Sequence, residues 1–208
     1  MTALSNAWRL LRQHGVRKFI DRYVYRSQQR IVVRGGFAGP SVPDRVGKIV
    51  LRLATESDLD HLDELEEYGR GSIQRRYVKE GTDWLFVACD DERVVATERA
   101  SRVVRDWIAS RVVQLRDGQL WSADAFCLPE YRSQGISRQL GMFGQRFLAA
   151  QGYKESFGSI AVENTPALRM ARRAGVTFAY HISYVRILFW ERIRVSEDVP
   201  KKLWDGLK

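Results

Sequence analysis

The ten most informative residues of the chain read Leu128-Pro129-Glu130-Tyr131-Arg132-Ser133-Gln134-Gly135-Ile136-Ser137. They lie between a predicted strand over 120–128 and a predicted helix over 137–151. Such a turn indicates a phosphate site, because successive backbone N–H groups at a helix N-terminus form an anion-binding concavity and the helix dipole adds to it. Gly135 lets the backbone approach a phosphate without a Cβ in the way, Ser137 can cap the helix, and Arg132 adds a charge. Alone, one glycine turn is more often an ordinary strand-to-helix loop.

Working outward from the turn, hydrophobic spacing predicts a regular succession of elements. Thr55 and Asp58 match a capping box at a helix start, and Gly175 matches a helix end. The expected order is strand, helix, hairpin, strand, turn, helix, strand, helix, strand. The predicted strands cover 49–53, 84–88, 93–100, 120–128, 155–162 and one or two segments of 176–194, and the predicted helices cover 55–68, 137–151 and 166–174. Residues 69–82 and 102–118 are expected to be variable loops.

The turn resembles the acyl-CoA-binding motif of the GNAT superfamily of acyl-CoA-dependent N-acetyltransferases, Gln/Arg-x-x-Gly-x-Gly/Ala. Arg132, Gly135 and Ser137 stand at its three defined positions, and the serine departs slightly from the usual glycine or alanine. Downstream, residues 162–178 resemble the family's Asn-x-x-Ala and Gly-Phe segment. The resemblance covers about residues 48–190. It implies an α+β fold with a mixed, mostly antiparallel central sheet flanked by helices.

The resemblance also implies where acyl-CoA binds. The strand that ends at Leu128 is expected to splay from the strand that begins near Glu155, and the cofactor would enter that gap. A backbone N–H of Cys127 or Leu128 would serve as the oxyanion site. The co-substrate is acetyl-CoA or another acyl-CoA, with no metal. The implied cofactor-binding residues are Phe126, Cys127, Leu128, Arg132, Ser133, Gln134, Gly135, Ile136, Ser137 and Asn164.

The acid–base groups are chosen by residue type and by their predicted strands, since an amine must lose a proton before it attacks a thioester. Asp124, four residues before Leu128, is the first candidate and Glu98 on the preceding strand is the second. His181 is the third, although a lone histidine in an apolar strand is more often structural. An acyl-cysteine at Cys127 is not expected, because no His/Asp pattern accompanies it.

The proton donor to the leaving thiolate is less evident. In many members of the family that the chain resembles, a tyrosine on the final helix has this role, and the matching position here is Ala171. Tyr180 and Tyr184 are the alternatives, and protonation by water is a third.

Positive charge is concentrated at the N-terminus. The 208-residue chain has a formal net charge of +9. Residues 1–36 hold eight lysines and arginines against Asp21 alone, so they carry +7 of that charge. The spacing over 4–33 predicts a basic amphipathic helix, so we expect a helical extension (1–36), a Gly/Pro linker (37–47) and an acyltransferase domain (48–208). The extension could bind an anionic membrane or pack on its own domain or a second subunit as in a homodimer, and both remain open. Nucleic-acid binding is not expected.

Composition excludes several classes of protein. Cys89 and Cys127 are far apart, which argues against a disulfide scaffold or a zinc module and fits a reducing, cytoplasmic compartment. No stretch resembles a secretory signal or a spanning helix. The expected function is transfer of an acetyl or other acyl group from CoA to a primary amine of a small molecule or amino sugar. A peptide or protein acceptor and a non-catalytic acyl-CoA-binding module are the alternatives.

Overall fold

The computed structural model describes residues 25–37, 43–62, 65, 74–76, 79–81, 83–188 and 190–197. These residues form nine strands and three α-helices, which we number in chain order. The strands are β1 (Tyr25–Gly36), β2 (Arg45–Val46), β3 (Ile49–Leu53), β4 (Asp83–Asp90), β5 (Arg93–Ser101), β6 (Gln119–Cys127), β7 (Glu155–Ala161), β8 (Thr177–Ile187) and β9 (Trp190–Ser196). The helices are α1 (Glu56–Asp60), α2 (Ile136–Ala150) and α3 (Thr165–Arg173).

The strands form one sheet in the order β2-β3-β4-β5-β6-β7-β1-β8-β9. Every neighbouring pair is antiparallel except β6 and β7, which run parallel and are connected through α2. Residues 176–194, predicted as one or two strands, are the β8–β9 hairpin. The predicted α+β class with a mostly antiparallel sheet is therefore confirmed.

The predicted helical extension is wrong where the structure describes it. Residues 25–36 form β1, which pairs with β7 on one side and β8 on the other. Ile31 and Val32 point to opposite faces and are both fully buried, and such β-branched residues suit a central strand. The arginines recur at helical spacing, but the burial of Ile31 and Val32 in the sheet decides the conformation of this segment. Residues 1–24, on which the membrane expectation depends, lie outside the described residues.

The two faces of the sheet have different covers. The helix face carries α2 and α3: Gly144 of α2 lies against the Phe86 ring, where an added Cβ would be 2.9 Å away, and Leu168 of α3 packs on Ile31. We call the opposite side the loop face, because residues 102–118 cover it. There Ile108 and its neighbours pack on Val32, which anchors the long β5–β6 connection over the second half of the sheet.

The start of α1 agrees with its predicted capping box. The backbone N–H and hydroxyl of Thr55 both donate to Asp58 Oδ2, at 2.7 and 2.8 Å. Desolvation alone would raise the pKa of Asp58, but the contact with Arg52 and these bonds lower it. The rest of the predicted helix over 55–68 is only partly described.

Candidate acyl-CoA and amine site

A gap opens in the middle of the sheet. Strands β6 and β7 pair over three residues, from Gln119–Glu155 to Trp121–Phe157, while β6 continues to Cys127. Gly158 marks the vertex, because a Cβ there would be 3.0 Å from the carbonyl oxygen of Ser122. Beyond this point the described parts of the two strands share no ladder, so their facing backbone edges are available to a ligand. The predicted splay is thus present.

The gap edge of β6 is bent by a bulge. Between the pairs Thr97–Phe126 and Arg99–Ala123 the register shifts, so that Asp124 and its neighbour oppose Glu98 alone. Asp124 has φ of 53°, in the left-handed region, which a non-glycine residue adopts only when its surroundings hold it there. The bulge turns β6 away from β7 and places Asp124 at the edge of the gap.

The phosphate turn has the left-handed glycine that its sequence predicts, but Ser137 lies inside the helix, which begins at Ile136, and does not cap it. Ser133 and Gly135 have φ of 64° and 78°, and Gly135 is the N-cap residue of α2. Open space faces Gly135, since an added Cβ would meet nothing within 4 Å. A short 3-10 turn over Pro129–Tyr131 precedes it, held by the Tyr131 hydroxyl, which donates to Asp90 at 2.8 Å. Successive backbone N–H groups with alternating handedness can bind an anion at this position.

A cavity of about 520 Å³ lies between this turn and α3, on the helix face. Four arginines line this cavity: Arg132, Arg138, Arg169 and Arg173. Among the described residues, none of them forms an ion pair with a carboxylate. Arg132 and the turn were predicted to bind phosphate, but the other three arginines were missed. The i,i+4 spacing of Arg169 and Arg173 on a helix was the signal that could have found two of them.

Hydrogen bonds show which way the backbone N–H groups at the end of β6 point. The Leu128 N–H donates to the Val95 carbonyl at 2.9 Å, so it faces β5 and is not an oxyanion donor. Alternation along a strand leaves the Cys127 N–H facing the gap. The Arg132 Nε donates to the Cys127 carbonyl at 3.0 Å, and its guanidinium lies 5.9 Å from the centre of the Phe126 ring. Burial raises the pKa of the Cys127 thiol, which disfavours an acyl-cysteine.

The downstream motif caps α3. The Asn164 Oδ1 accepts from the Ala167 N–H at 3.3 Å, and Asn164 is exposed and does not line the cavity. Ala171 is buried and provides no hydroxyl. Tyr180 and Tyr184 pack in the cluster on the loop face, away from the turn, and the Tyr184 hydroxyl donates to Glu191 at 3.2 Å. Neither tyrosine is therefore placed to replace a donor on α3.

Asp124 belongs to a buried ion cluster. Arg99, whose side chain is 2% exposed, bridges the fully buried Asp83 at 3.2 Å and also binds Asp124. Arg105 from the 102–118 loop reaches Asp83 at 3.1 Å. The Asp124 side chain is 22% exposed on the loop face, so an amine can reach it from there. The first-choice base is at the gap, but its carboxylate is engaged by an arginine that sequence reasoning did not foresee.

Glu98 occupies a different environment on the helix face. The Ser122 hydroxyl donates to its Oε1 at 3.3 Å, and the absent side chain of Gly141 leaves room for its carboxyl group. Burial raises the Glu98 pKa to about 7, and the Ser122 bond opposes that rise. A carboxyl group with this pKa can exchange a proton near neutral pH.

His181, the third candidate, pairs with Ile31 in the register of β1 and β8. Its Nε2 is buried without a hydrogen-bond partner, and burial lowers its pKa. Two strands, β7 and β1, lie between its strand β8 and β6, so the structure does not bring it to the gap.

The 102–118 loop is anchored at the gap by a residue that sequence reasoning missed. Asp106 accepts from the backbone N–H of Ile108 and Ala109 at 2.9 and 2.8 Å. Its other oxygen accepts from the Ser159 hydroxyl of β7 at 2.7 Å. Arg30 lies 3.6 Å from the same oxygen. An aspartate followed at two and three residues by turn N–H groups is a recognisable local signal.

Within the part of the chain that the structure describes, no three His, Cys, Asp or Glu side chains gather as a metal site would require. Over the same residues, no helix combines the length and apolar character needed to cross a bilayer.

Comparison with known proteins gives a likeness in structure alone. No protein-family model matches the sequence, and no curated protein sequence matches it. A GNAT-family protein from Novosphingobium aromaticivorans superposes with a TM-score of 0.56 at 14% identity, over 84% of this chain and 66% of its own. A GCN5-related N-acetyltransferase from Sphaerobacter thermophilus superposes with a TM-score of 0.52 at 19% identity, over 88% and 56%.

A third structure is the GCN5-related glucosamine N-acetyltransferase region of a fungal multi-domain β-N-acetylglucosaminidase. It superposes with a TM-score of 0.55 at 17% identity, over 88% of this chain and 23% of the fungal one. The chain thus spans two thirds or less of the length of each of these structures. At such identities the likeness concerns architecture alone: the chain has the fold of the GNAT N-acetyltransferases.

Proposed function

We propose that the chain is an acyl-CoA-dependent N-acyltransferase, which moves an acetyl or other acyl group from CoA to a primary amine of a small molecule or amino sugar by direct attack. The observation that carries this proposal is the cavity beside the phosphate turn. It combines a cradle of backbone N–H groups with Arg132, Arg138, Arg169 and Arg173. A ligand with several phosphate groups, such as CoA, suits that charge.

In this proposal the pyrophosphate lies on residues 132–137 and the pantetheine arm runs along β6 beside Phe126 and Cys127. A backbone N–H on the gap edge of β6 offers a hydrogen bond to the thioester oxygen, where negative charge develops as the amine attacks. The acceptor approaches from the loop face, where Asp124 attracts the ammonium group and receives its proton directly or through water. The fungal neighbour is named for glucosamine, which favours an amino sugar among the acceptors to test.

Replacing Gly135 by valine is expected to weaken acetyl-CoA binding by roughly tenfold or more, or about 1.4 kcal/mol. The new side chain occupies the open space in front of the cradle, and a β-branched residue disfavours the positive φ of position 135. Gly152→Val is the matched control, because Gly152 also has positive φ (90°) and open space but lies beyond the end of α2. Isothermal titration with both variants measures the difference, and equal affinities would contradict the assignment of the turn.

The double variant Arg169→Ala/Arg173→Ala is expected to weaken binding of acetyl-CoA by about 10- to 100-fold, as the loss of two charge-assisted contacts predicts. It should also flatten the dependence of affinity on salt. Arg172→Ala is the control, since Arg172 is on the same helix but does not line the cavity. If the double variant and the control bind alike, α3 does not contact the phosphates.

Turnover is tested by release of free CoA thiol from acetyl-CoA against a panel of amines that includes glucosamine, with mass spectrometry of the acylated product. Thiol release that requires the amine supports the transferase. The absence of a hydroxyl at Ala171 favours the second candidate, a non-catalytic acyl-CoA-binding module. Binding without turnover of any acceptor would select the module, and absence of binding would reject both.

A further inference from the structure

The two candidate carboxyl groups lie on opposite faces of the sheet. Glu98 stands opposite Phe86 in the β4–β5 register, and its carboxyl group lies beneath Gly141 of α2. Its neighbour Arg99 points to the other face, where it binds Asp124. The cavity of the phosphate turn lies between α2 and α3, on the side of Glu98. Glu98 is therefore on the donor side of the sheet and Asp124 on the acceptor side.

Glu98 and Ser122 form a pair at the vertex of the gap. Ser122 is the first residue of β6 after its last pair with β7, and its hydroxyl lies 3.3 Å from Glu98 Oε1. Gly141 is needed above this pair, since a Cβ would come within 2.8 Å of Glu98 Oε2. From Cys127 to Ser122 the strand covers about 15 Å. An arm that enters at the turn and follows β6 therefore carries its reactive end towards this pair.

We propose that Glu98 provides, through the Ser122 hydroxyl, the proton that the departing CoA sulfur takes up. The proposal rests on the proposed function and adds a named donor to it. The amine nitrogen forms the new C–N bond at the thioester carbonyl, and the C–S bond breaks with its electron pair on sulfur. When Glu98 is protonated, its carboxylic acid donates to the Ser122 oxygen and the Ser122 hydroxyl is free to donate to sulfur, so that sulfur takes the Ser122 proton while Ser122 takes that of Glu98. The proton lost by the amine leaves on the loop face, and Glu98 is reprotonated from solvent.

The environment of Glu98 suits a donor. The residues that face it from β4, β6 and α2 are Phe86, Ser122 and Gly141, and all three are uncharged. Burial raises the Glu98 pKa to about 7, so at and below neutral pH the group holds the proton that a donor must have. As pH rises through 7 the proton is lost and the donor fails.

The first test is the ratio of kcat of the wild type to kcat of Glu98→Gln across pH 5.5–9, in which ionisation of the amine cancels. We expect a ratio of about 10² below pH 6.5, falling towards 1 above pH 8. A ratio that rises with pH would make Glu98 a base, and a ratio that does not vary with pH would make it structural. Either result overturns the proposal. Glu92→Gln, in the exposed β4–β5 turn, is the control.

The second test uses the leaving group. With an aryl thioester whose thiol is much more acidic than CoA, departure needs no proton, so Glu98→Gln and Ser122→Ala should lose less than about threefold. With acetyl-CoA the same variants should lose far more. Equal losses with both donors would show that the residues do not act on the sulfur.

The third test needs no acceptor and so separates this inference from the proposed function. Binding of CoA and of desulfo-CoA is compared by calorimetry in the wild type, Ser122→Ala and Glu98→Gln. If the pair contacts the sulfur, the wild type distinguishes the two ligands and both variants lose at least half of that discrimination. The same ratio of affinities in all three proteins would refute the contact, even where CoA binds and no amine is acylated.

Discussion

Replacing Arg99 by alanine is expected to lower the free energy of unfolding by about 3–5 kcal/mol, the cost of leaving buried charges without their partner. The Arg99 side chain is 2% exposed, and Asp83 beside it is fully buried. Without the guanidinium, Asp83 loses a buried partner that it has in addition to Arg105 and the Ser101 hydroxyl, and Asp124 loses its contact with Arg99. Equilibrium unfolding in urea measures the change.

The control for Arg99 is a surface pair of the same chemistry. Arg93 and Glu130 lie 2.8 Å apart with side chains 41% and 51% exposed, so Arg93→Ala should cost at most about 1 kcal/mol. Arg99→Lys should fall between the two variants, because a single ammonium group cannot contact two carboxylates as a guanidinium fork does. If Arg99→Ala proves no more harmful than Arg93→Ala, the cluster is hydrated in solution.

The same substitution should affect the site. Asp124 keeps a φ of 53° at the bulge while Arg99 holds its carboxylate, and the bulge sets the direction of the β6 edge. We therefore expect any folded Arg99 variant to lose activity beyond what its remaining folded fraction explains.

The phosphate turn was predictable because its determinants are local. Pro129, Gly135 and the following helical spacing lie within a few residues of one another, and each restricts the backbone by its own chemistry. The structure places Gly135 at positive φ and begins α2 at the next residue. Together with the resemblance of residues 162–178 and the order of the predicted elements, this turn was enough to predict the fold around it.

Residues 25–36 were not predictable in this way. Their arginines recur at helical spacing, but the strand is stabilised by partners more than a hundred residues away in β7 and β8. Hydrophobic periodicity does not register such pairing, and tertiary contacts override a weak helical preference. The same limit applies to 102–118, whose Asp106 and Arg105 find their partners on other strands.

The candidate acid–base residues show the same limit. Both Asp124 and Glu98 were found by residue type and by the strand that carries them. Their environments depend on the faces of the sheet and on Arg99 and Ser122, which come close only in the fold. The sequence was enough to select Asp124 and Glu98 as candidate acid–base residues. Their different environments, an ion cluster for Asp124 and an uncharged site for Glu98, became apparent only in the structure.

Glu98→Gln is expected to raise the free energy of unfolding at pH 8 by up to about 3 kcal/mol relative to the wild type. The reason is that burial raises the Glu98 pKa from the ordinary 4.5 to about 7 in the folded chain. The protonated group is compatible with folding below pH 4.5. Between pH 4.5 and 7 the unfolded chain releases its proton first, so the wild type loses stability that the glutamine variant keeps.

The opposite sign is expected for Asp58→Asn, which makes it the internal control. Desolvation opposes the shift, but Arg52 and Thr55 lower the Asp58 pKa below 3.8 in the folded chain. Asp58 therefore stabilises the protein above pH 4, and the variant should be the weaker one there, with the difference shrinking as pH falls below that value. Unfolding curves at about pH 3, 4.5 and 8 for both variants give two trends of opposite direction, that of Asp58 between the first two values and that of Glu98 between the last two.

A flat difference between Glu98→Gln and the wild type across this range would mean that Glu98 titrates in the folded chain as it does in the unfolded one, and it would remove the support that the pKa lends to a proton donor. The expected combination is a variant that is more stable at pH 8 and slower with acetyl-CoA below neutral pH. Such a trade between stability and activity is typical of a functional site. It is physically reasonable here, because a carboxyl group that gives up a proton near pH 7 must be held where its charged form is costly.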